Sequence, residues 1–356
     1  MHPIYDYEED MWLFSYDWLG DATKQEEELA EELRAGTFLE NVLPNLTHLR
    51  TVTIDNLSIA AMSGPTRTAV PLSIILATLS SRQIQNVTIS GYLYHPEDPT
   101  PLIPPGSVQC NLRSLMYDLS VVRRQPRTYP SEKALLEALI PLLSHTLEKL
   151  VAPVENVPLE AIKMQRWPHL RVLTLYGQRH TMVDSHTPAI VVFANMPKLR
   201  CLDLFLANPE GIQPQAICPE GFSGTFPWPE LERLTVAQPL PSDNVWAYLP
   251  LCLQALVLRY WPRRWEWYSA YLKGSPVLHM SEIQWRMPHL PASDVLRILQ
   301  QCRTPQLKLL EMEYQVDEQE ISLFRHIARS FSSLESLHIY RYQDCSSPEA
   351  SLVSSV

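Results

Sequence analysis

Residues 167–175 read Trp-Pro-His-Leu-Arg-Val-Leu-Thr-Leu, with leucine at 170, 173 and 175. The same L-x-x-L-x-L phrase returns at Leu199/Leu202/Leu204, Leu231/Leu234/Val236, Leu253/Leu256/Leu258, Leu307/Leu310/Met312 and Leu334/Leu337/Ile339. Looser copies stand at Leu49/Val52/Ile54, Ile84/Val87/Ile89, Leu112/Leu115/Tyr117, Leu147/Leu150/Ala152 and Met280/Ile283/Trp285. The L-x-L half alternates, as a short strand with one buried face does. Recurrence at roughly 20–29 residues is the signature of a leucine-rich-repeat solenoid. Counted from Leu49, the steps are 35, 28, 35, 23, 29, 32, 22, 27, 27 and 27. The spacing is irregular early and even late. The expected fold is α/β: an irregular leucine-rich-repeat horseshoe of about eleven strands, with short parallel strands on the concave face and helices on the convex face.

Composition narrows the class. The chain has 356 residues, 46% of them hydrophobic, which is enough for a core. Proline at 31 against glycine at 10 suits many short units separated by rigid turns and disfavours a glycine-rich phosphate loop. No stretch approaches 18 apolar residues, so no membrane span is expected. The six cysteines are scattered without C-x-x-C, and the start MHPIYDYEED lacks a secretory signal's basic-then-apolar order. Reduced thiols and a cytoplasmic or nuclear location are therefore expected. The net charge of −10 comes from one end: residues 1–40 hold 12 acidic and 2 basic residues, and the remaining 27 of each sign cancel. The body has no global field that would draw nucleic acid.

In chain order, residues 1–40 are expected to form an acidic amino-terminal cap, 41–343 the solenoid and 344–356 a disordered tail. Helical spacing marks Pro71–Leu79, Ser131–Leu143, Ser242–Leu249, Ser293–Cys302 and Glu318–Phe331, with Ser131, Ser242 and Ser293 placed as N-caps. Proline lead-ins (Pro168, Pro197, Pro229, Pro305) precede strands, where they cost no ladder bond.

The last third carries LRYWPRRWEW, then PHLPASDVLRILQQC, then PQLKLLEMEYQVDEQEISLFRHIARSFSSLESLHIYRY. This order resembles the carboxy-terminal repeats of F-box-like leucine-rich-repeat proteins of mushroom-forming fungi. The likeness spans about residues 41–343 and rests mainly on structural leucines. It implies a non-enzymatic protein-binding module, with substrate recognition or an adaptor role linked to ubiquitin ligation. The family's F-box is not found: residues 1–40 lack its Leu-Pro-x-Glu opening.

If the phrase leucines point inward, the residues between and after the last two point out. The between row is Thr53, Thr88, Met116, Val151, Thr174, Asp203, Thr235, Val257, Gln284, Glu311 and His338. The following row ends in Arg259, Arg286, Glu313 and Tyr340. Arg259, Arg286, Glu311, Glu313, His338 and Tyr340 are thus the candidate protein-binding set, since arginine with aromatics is the composition of interface hot spots. The even late spacing places Arg259 and Arg286 on adjacent strands, with Glu313 and Tyr340 on the next two. The expected partner is another protein on the concave face, bound by a monomer without cofactor, metal, nucleic acid or membrane. Rival readings are a scaffold or degenerate paralogue without ligand, and an enzyme with a pocket in the 177–229 loops. Other signals read as structural: the basic-aromatic run 259–268 as packing, and His180, Asp184 and His186 as a polar loop without a finger's spacing. Gly221-Phe-Ser-Gly224 lacks the second spacing of a nucleophile elbow.

Overall fold

The structure is a computed structural model that describes residues 34–55, 70, 72–90, 111–118, 130–178, 187–207, 215–261 and 289–343. Ten strands lie within these ranges: β1 Thr51–Asp55, β2 Asn86–Ser90, β3 Ser114–Asp118, β4 Lys149–Pro153, β5 Val172–Gln178, β6 Cys201–Ala207, β7 Arg233–Ala237, β8 Ala255–Arg259, β9 Leu309–Gln315 and β10 Ser336–Tyr342. They form one sheet in sequence order, β1 to β10, and every pair is parallel. Each strand coincides with one phrase. The second phrase positions align in register as Val52, Val87, Leu115, Leu150, Leu173, Leu202, Leu234, Leu256, Leu310 and Leu337. From Leu173 to Leu310 these leucines are fully buried, which fixes the strand phase. A one-residue slip would turn every one of them to the opposite face.

Two repeated local devices set the register. A turn precedes most strands, in which the N–H of the first phrase leucine donates to a carbonyl three residues back, as in Leu199 to Met196, Leu231 to Trp228 and Leu307 to Thr304. The carbonyl after that leucine then accepts two N–H groups from the next strand: Arg171 O takes Arg200 and Cys201, and Arg200 O takes Glu232 and Arg233. The residues in this row alternate in sign often enough to pair across strands, at Arg113–Glu148 (3.4 Å), Arg200–Glu232 (3.6 Å) and Lys308–Glu335 (3.2 Å). Such exposed pairs are worth at most about 1 kcal/mol each, so they select register more than they stabilise.

The same doubled bond runs from Gln254 O directly to Lys308 and Leu309, and β8 pairs β9 from Ala255↔Leu309 to Leu258↔Met312. This corrects the expected strand order. The phrase at Met280/Ile283/Trp285 lies outside the described residues, and β8 and β9 are immediate neighbours. Arg259 therefore stands one step past the Leu258↔Met312 pair, beside Glu313, not beside an arginine strand.

Helices supply the other wall of the core. Leu72–Ser80, Pro130–Leu143, Ala292–Gln301 and Glu320–Ser330 fall where apolar spacing of three and four placed helices. Their buried residues, such as Leu135, Leu139, Val295, Leu299, Leu323 and Ile327, join the strand leucines in one cluster. Val245–Tyr248 is shorter than expected, and Leu159–Met164 and Ala189–Val192 are short helices that the apolar spacing does not mark. Ser293 is not an N-cap: the helix starts at Ala292, and the Ser293 N–H donates to Asp317 Oδ2 of the following unit (2.9 Å). Ser242 is likewise displaced by its neighbour, since Asp243 Oδ1 accepts the Val245 N–H (2.9 Å). The helix Pro130–Leu143 begins one residue before Ser131. Residues 34–42 are helical and run through the expected 40/41 boundary, with Leu39 and Leu43 packed on the core.

Three tryptophans close the seams between units. Trp167, Trp228 and Trp246 are fully buried, and each indole N–H donates to a backbone carbonyl: Ile162 (3.0 Å), Phe193 (2.9 Å) and Leu240 (2.7 Å). A buried indole needs such an acceptor for its one polar atom. Among the described residues no helix is long and apolar enough to cross a membrane.

Candidate interaction face

The face opposite the helices is built from the residues between the leucines. The register aligns Thr53, Thr88, Met116, Val151, Thr174, Asp203, Thr235, Val257, Glu311 and His338 in one row, as the phrase phase requires. Gln284 and Arg286, placed in these rows by spacing, lie outside the described residues. The row divides into two chemically different halves.

In the amino-terminal half, Thr53 is exposed, and Thr88, Met116, Val151 and Thr174 are half-buried. Beside them stand Thr51, Asn86, Ser114 and Lys149, with Asn86 Nδ2 donating to Thr51 Oγ1 (3.2 Å). This is an accessible surface of hydroxyls and methyls with little charge.

From Asp203 to Val257 the row is closed. Thr235 is 0% and Val257 3% exposed, and Asp203 and Glu313 are buried. Long side chains lie across short ones. Arg233 Nε donates to Asp203 Oδ1 (3.2 Å) and reaches Thr235 Oγ1 (3.5 Å), while Thr174 Oγ1 donates to Asp203 Oδ2 (3.3 Å). Arg259 rests its guanidinium 5.0 Å from the Phe205 ring centre, where the ring's quadrupole attracts a cation.

Glu313 is the focus of this half. Its Oε2 accepts the Tyr260 N–H (3.0 Å) and its Oε1 the Tyr342 hydroxyl (2.8 Å), with His289 Nε2 at 3.9 Å from Oε1. The His289 ring lies against both aromatics, stacked on Tyr342 at 4.0 Å and tilted to Tyr260 at 4.8 Å. A buried carboxylate so engaged positions three segments: the end of β8, the lead-in to Ala292–Gln301, and β10. One strand further, His338 Nδ1 is 3.7 Å from Glu311 Oε2 and its Nε2 3.1 Å from Ser336 Oγ.

The six sequence-chosen residues therefore separate. Glu311, His338 and Tyr340 share the β9–β10 edge of the face, and Glu311 pairs with His338. Glu313 is buried beneath aromatics, and the Arg259 guanidinium lies over the Phe205 ring. Spacing missed Tyr260, His289 and Tyr342. Tyr342 was within reach, because it follows Tyr340 by two and β10 runs to seven residues. His289 sits in a lead-in with no periodic signal.

Two further buried polar centres were not singled out by spacing. Glu132, in the first turn of Pro130–Leu143, accepts the Tyr117 hydroxyl (2.6 Å) and the Asn156 amide, and Tyr176 donates to the Tyr117 carbonyl (2.6 Å). Asp243 accepts the N–H groups of Ile217, Cys218 (3.0 Å) and Val245 (2.9 Å). Burial pushes the Asp243 carboxyl up, against the opposing pull of those three donors. The Cys218 thiol beside it is pushed up to about 11 by burial and the Asp243 charge, so it is held as the neutral thiol. This pins residues 217–218, within the 177–229 stretch proposed for an enzyme pocket; residues 179–186 and 208–214 of that stretch lie outside the described residues.

No family model matches the chain, and no curated protein matches it.

Proposed function

We propose that this chain is a leucine-rich-repeat horseshoe that binds another protein through the concave face of its sheet. Ten consecutive parallel strands, each bringing one phrase into register, support the horseshoe reading, because strand–helix units stacked in order curl with the strands inside. The observation that carries the binding reading is the row Thr53, Thr88, Met116, Val151 and Thr174. It presents one accessible side chain per repeat across five neighbouring strands. A surface of this kind reads an extended partner by shape and hydrogen bonding. The resemblance to F-box-like repeat proteins supports a role for this chain in substrate recognition or as an adaptor linked to ubiquitin ligation.

The β9–β10 edge is a second landing area, favoured by the exposed His338 imidazole on Glu311. The two are separated by affinity capture with tagged full-length protein. Thr88→Arg with Val151→Arg is expected to abolish capture of whatever partners wild type enriches, while His338→Ala with Tyr340→Ala preserves it. The reverse pattern moves the site to β9–β10. Capture unaffected by both pairs refutes binding through this face.

A further inference from the structure

Charges at the foot of the strands mostly find an opposite charge on the next strand, but one position does not. Arg50, Gln85, Arg113, Glu148, Arg171 and Arg200 each stand just before a strand, β1 to β6, and one backbone hydrogen bond links each to the next. Arg171 lies between Glu148 and Arg200. Glu148 is turned to Arg113 (3.4 Å), and Arg200 is turned to Glu230 (3.5 Å) and Glu232 (3.6 Å). No carboxylate of this row is left for Arg171.

The positions around it add positive charge. His169 and Arg171 flank the buried Leu170 as Lys198 and Arg200 flank the buried Leu199, and the Val172↔Cys201 register sets these two units side by side. Arg166 opens the same lead-in, beside Asn195, whose carbonyl accepts the Trp167 N–H (3.0 Å). Arg166, Arg171 and Lys198 are exposed, and among the described residues none of the three side chains forms an ion pair or a hydrogen bond. Like charges on adjacent strands repel unless an anion lies between them.

We propose that Arg166, Arg171 and Lys198 hold a short run of Asp or Glu in the partner protein, next to the segment that lies on the row Thr53–Thr174; this rests on the concave-face reading above. Thr174 ends that accessible row and follows Arg171 by three residues, about 10 Å along the strand. One partner segment therefore reaches both. Each guanidinium offers a carboxylate two parallel N–H donors, and the Lys198 ammonium adds a point charge. Glu148 on one side and Glu230 and Glu232 on the other confine the cluster to two strands. It fits a short acidic run, not a phosphate backbone, whose charges recur along its whole length.

The test uses the full-length chain and fluorescein-labelled octaglutamate, with binding read by anisotropy at low salt. Wild type is expected to bind it, more weakly as salt rises. Arg171→Glu with Lys198→Glu should weaken binding more than tenfold, and Arg171→Gln with Lys198→Gln severalfold, both with the thermal midpoint within two degrees of wild type. Arg325→Glu with Arg329→Glu makes the same change of charge at exposed sites on the helix Glu320–Ser330 and should alter binding less than twofold. No binding by wild type, or an equal loss in the Arg325/Arg329 pair, overturns the inference. Tighter binding of an eight-residue oligothymidylate than of octaglutamate overturns it in favour of nucleic acid. Affinity capture separates this inference from the concave-face reading. If Thr88→Arg with Val151→Arg abolishes capture and the Arg171/Lys198 reversal leaves it intact, the face stands and the acidic contact falls. The opposite pattern keeps the acidic contact and refutes the face.

Discussion

Leu173→Ala tests the strand phase most directly. Leu173 is fully buried at the centre of β5, between Leu150 of β4 and Leu202 of β6 in register. Removing three side-chain carbons there loses their transfer free energy and leaves a cavity, for a total of about 2–5 kcal/mol depending on how far the site collapses. Both neighbouring strands hold the β5 backbone through continuous ladders, so collapse is limited and about 4 kcal/mol is expected. The control is the next residue. Thr174 points to the other face, is half-buried, and makes one side-chain bond to Asp203 at 3.3 Å. Thr174→Ala should cost about 0.5–1.5 kcal/mol, the net value of one hydrogen bond. Urea unfolding followed by tryptophan fluorescence and circular dichroism gives both numbers. At a slope of about 3 kcal/mol/M, Leu173→Ala moves the midpoint by more than 1 M. Because repeat arrays can unfold in parts, amide exchange of β4–β6 locates the loss. Equal midpoints for the two variants, or a larger loss for Thr174→Ala, would mean the faces have been assigned the wrong way round.

Asp243→Ala should destabilise by about 3 kcal/mol or more, since it leaves three N–H donors without their acceptor at a buried site, and Asp243→Asn, which keeps one carbonyl oxygen, by less; thermal unfolding of both variants measures the order. Gly177→Ala should cost at least about 1–3 kcal/mol, because Gly177 has φ +116° and an added Cβ would overlap the Glu155 carboxylate, and a midpoint within one degree of wild type would contradict that geometry. The Arg341 guanidinium, bonded to both oxygens of Glu320 (2.7 and 3.1 Å), holds that carboxyl below its usual range. A depressed carboxyl adds stability above its ordinary value of 4.5, and that stability is lost as pH falls through the folded-state value. Arg341→Met should therefore flatten the fall of the thermal midpoint below pH about 4.5, and parallel profiles would show the pair to be screened out. Purified chain mixed with the ligase adaptor that F-box proteins recognise should show no one-to-one complex by size-exclusion chromatography, because residues 1–40 lack the docking phrase; a stable complex would reveal a divergent docking module there.

The spacing of leucines was enough to place ten strands, their phase, and the alternation that sends Thr174 one way and Leu173 the other. Parity is a local property: successive side chains on a strand must point oppositely, and only one face can be apolar. The helices were legible for the same reason, with ends displaced where a cap came from elsewhere. Asp317 serves Ser293 across a repeat, and no local pattern announces that. The sequence also named the residues of the outward rows correctly where those rows are described.

What it could not decide was which strands are neighbours and which part of the face stays open. Even steps of 27 residues suggested a strand between β8 and β9, but apolar spacing states only which side chains seek burial, not whose carbonyl receives an N–H. The bonds from Lys308 and Leu309 to Gln254 settle that, and they put Arg259 beside Glu313. Openness is likewise collective. Thr235 and Val257 carry the same parity as Thr53 and Thr88, yet they are buried while Thr53 is exposed. Across the closed half lie Arg233, Arg259 and the Tyr260–His289–Tyr342 stack, brought together from separate segments by the fold. Parity is written in neighbouring residues; burial depends on everything that comes to rest on top of them.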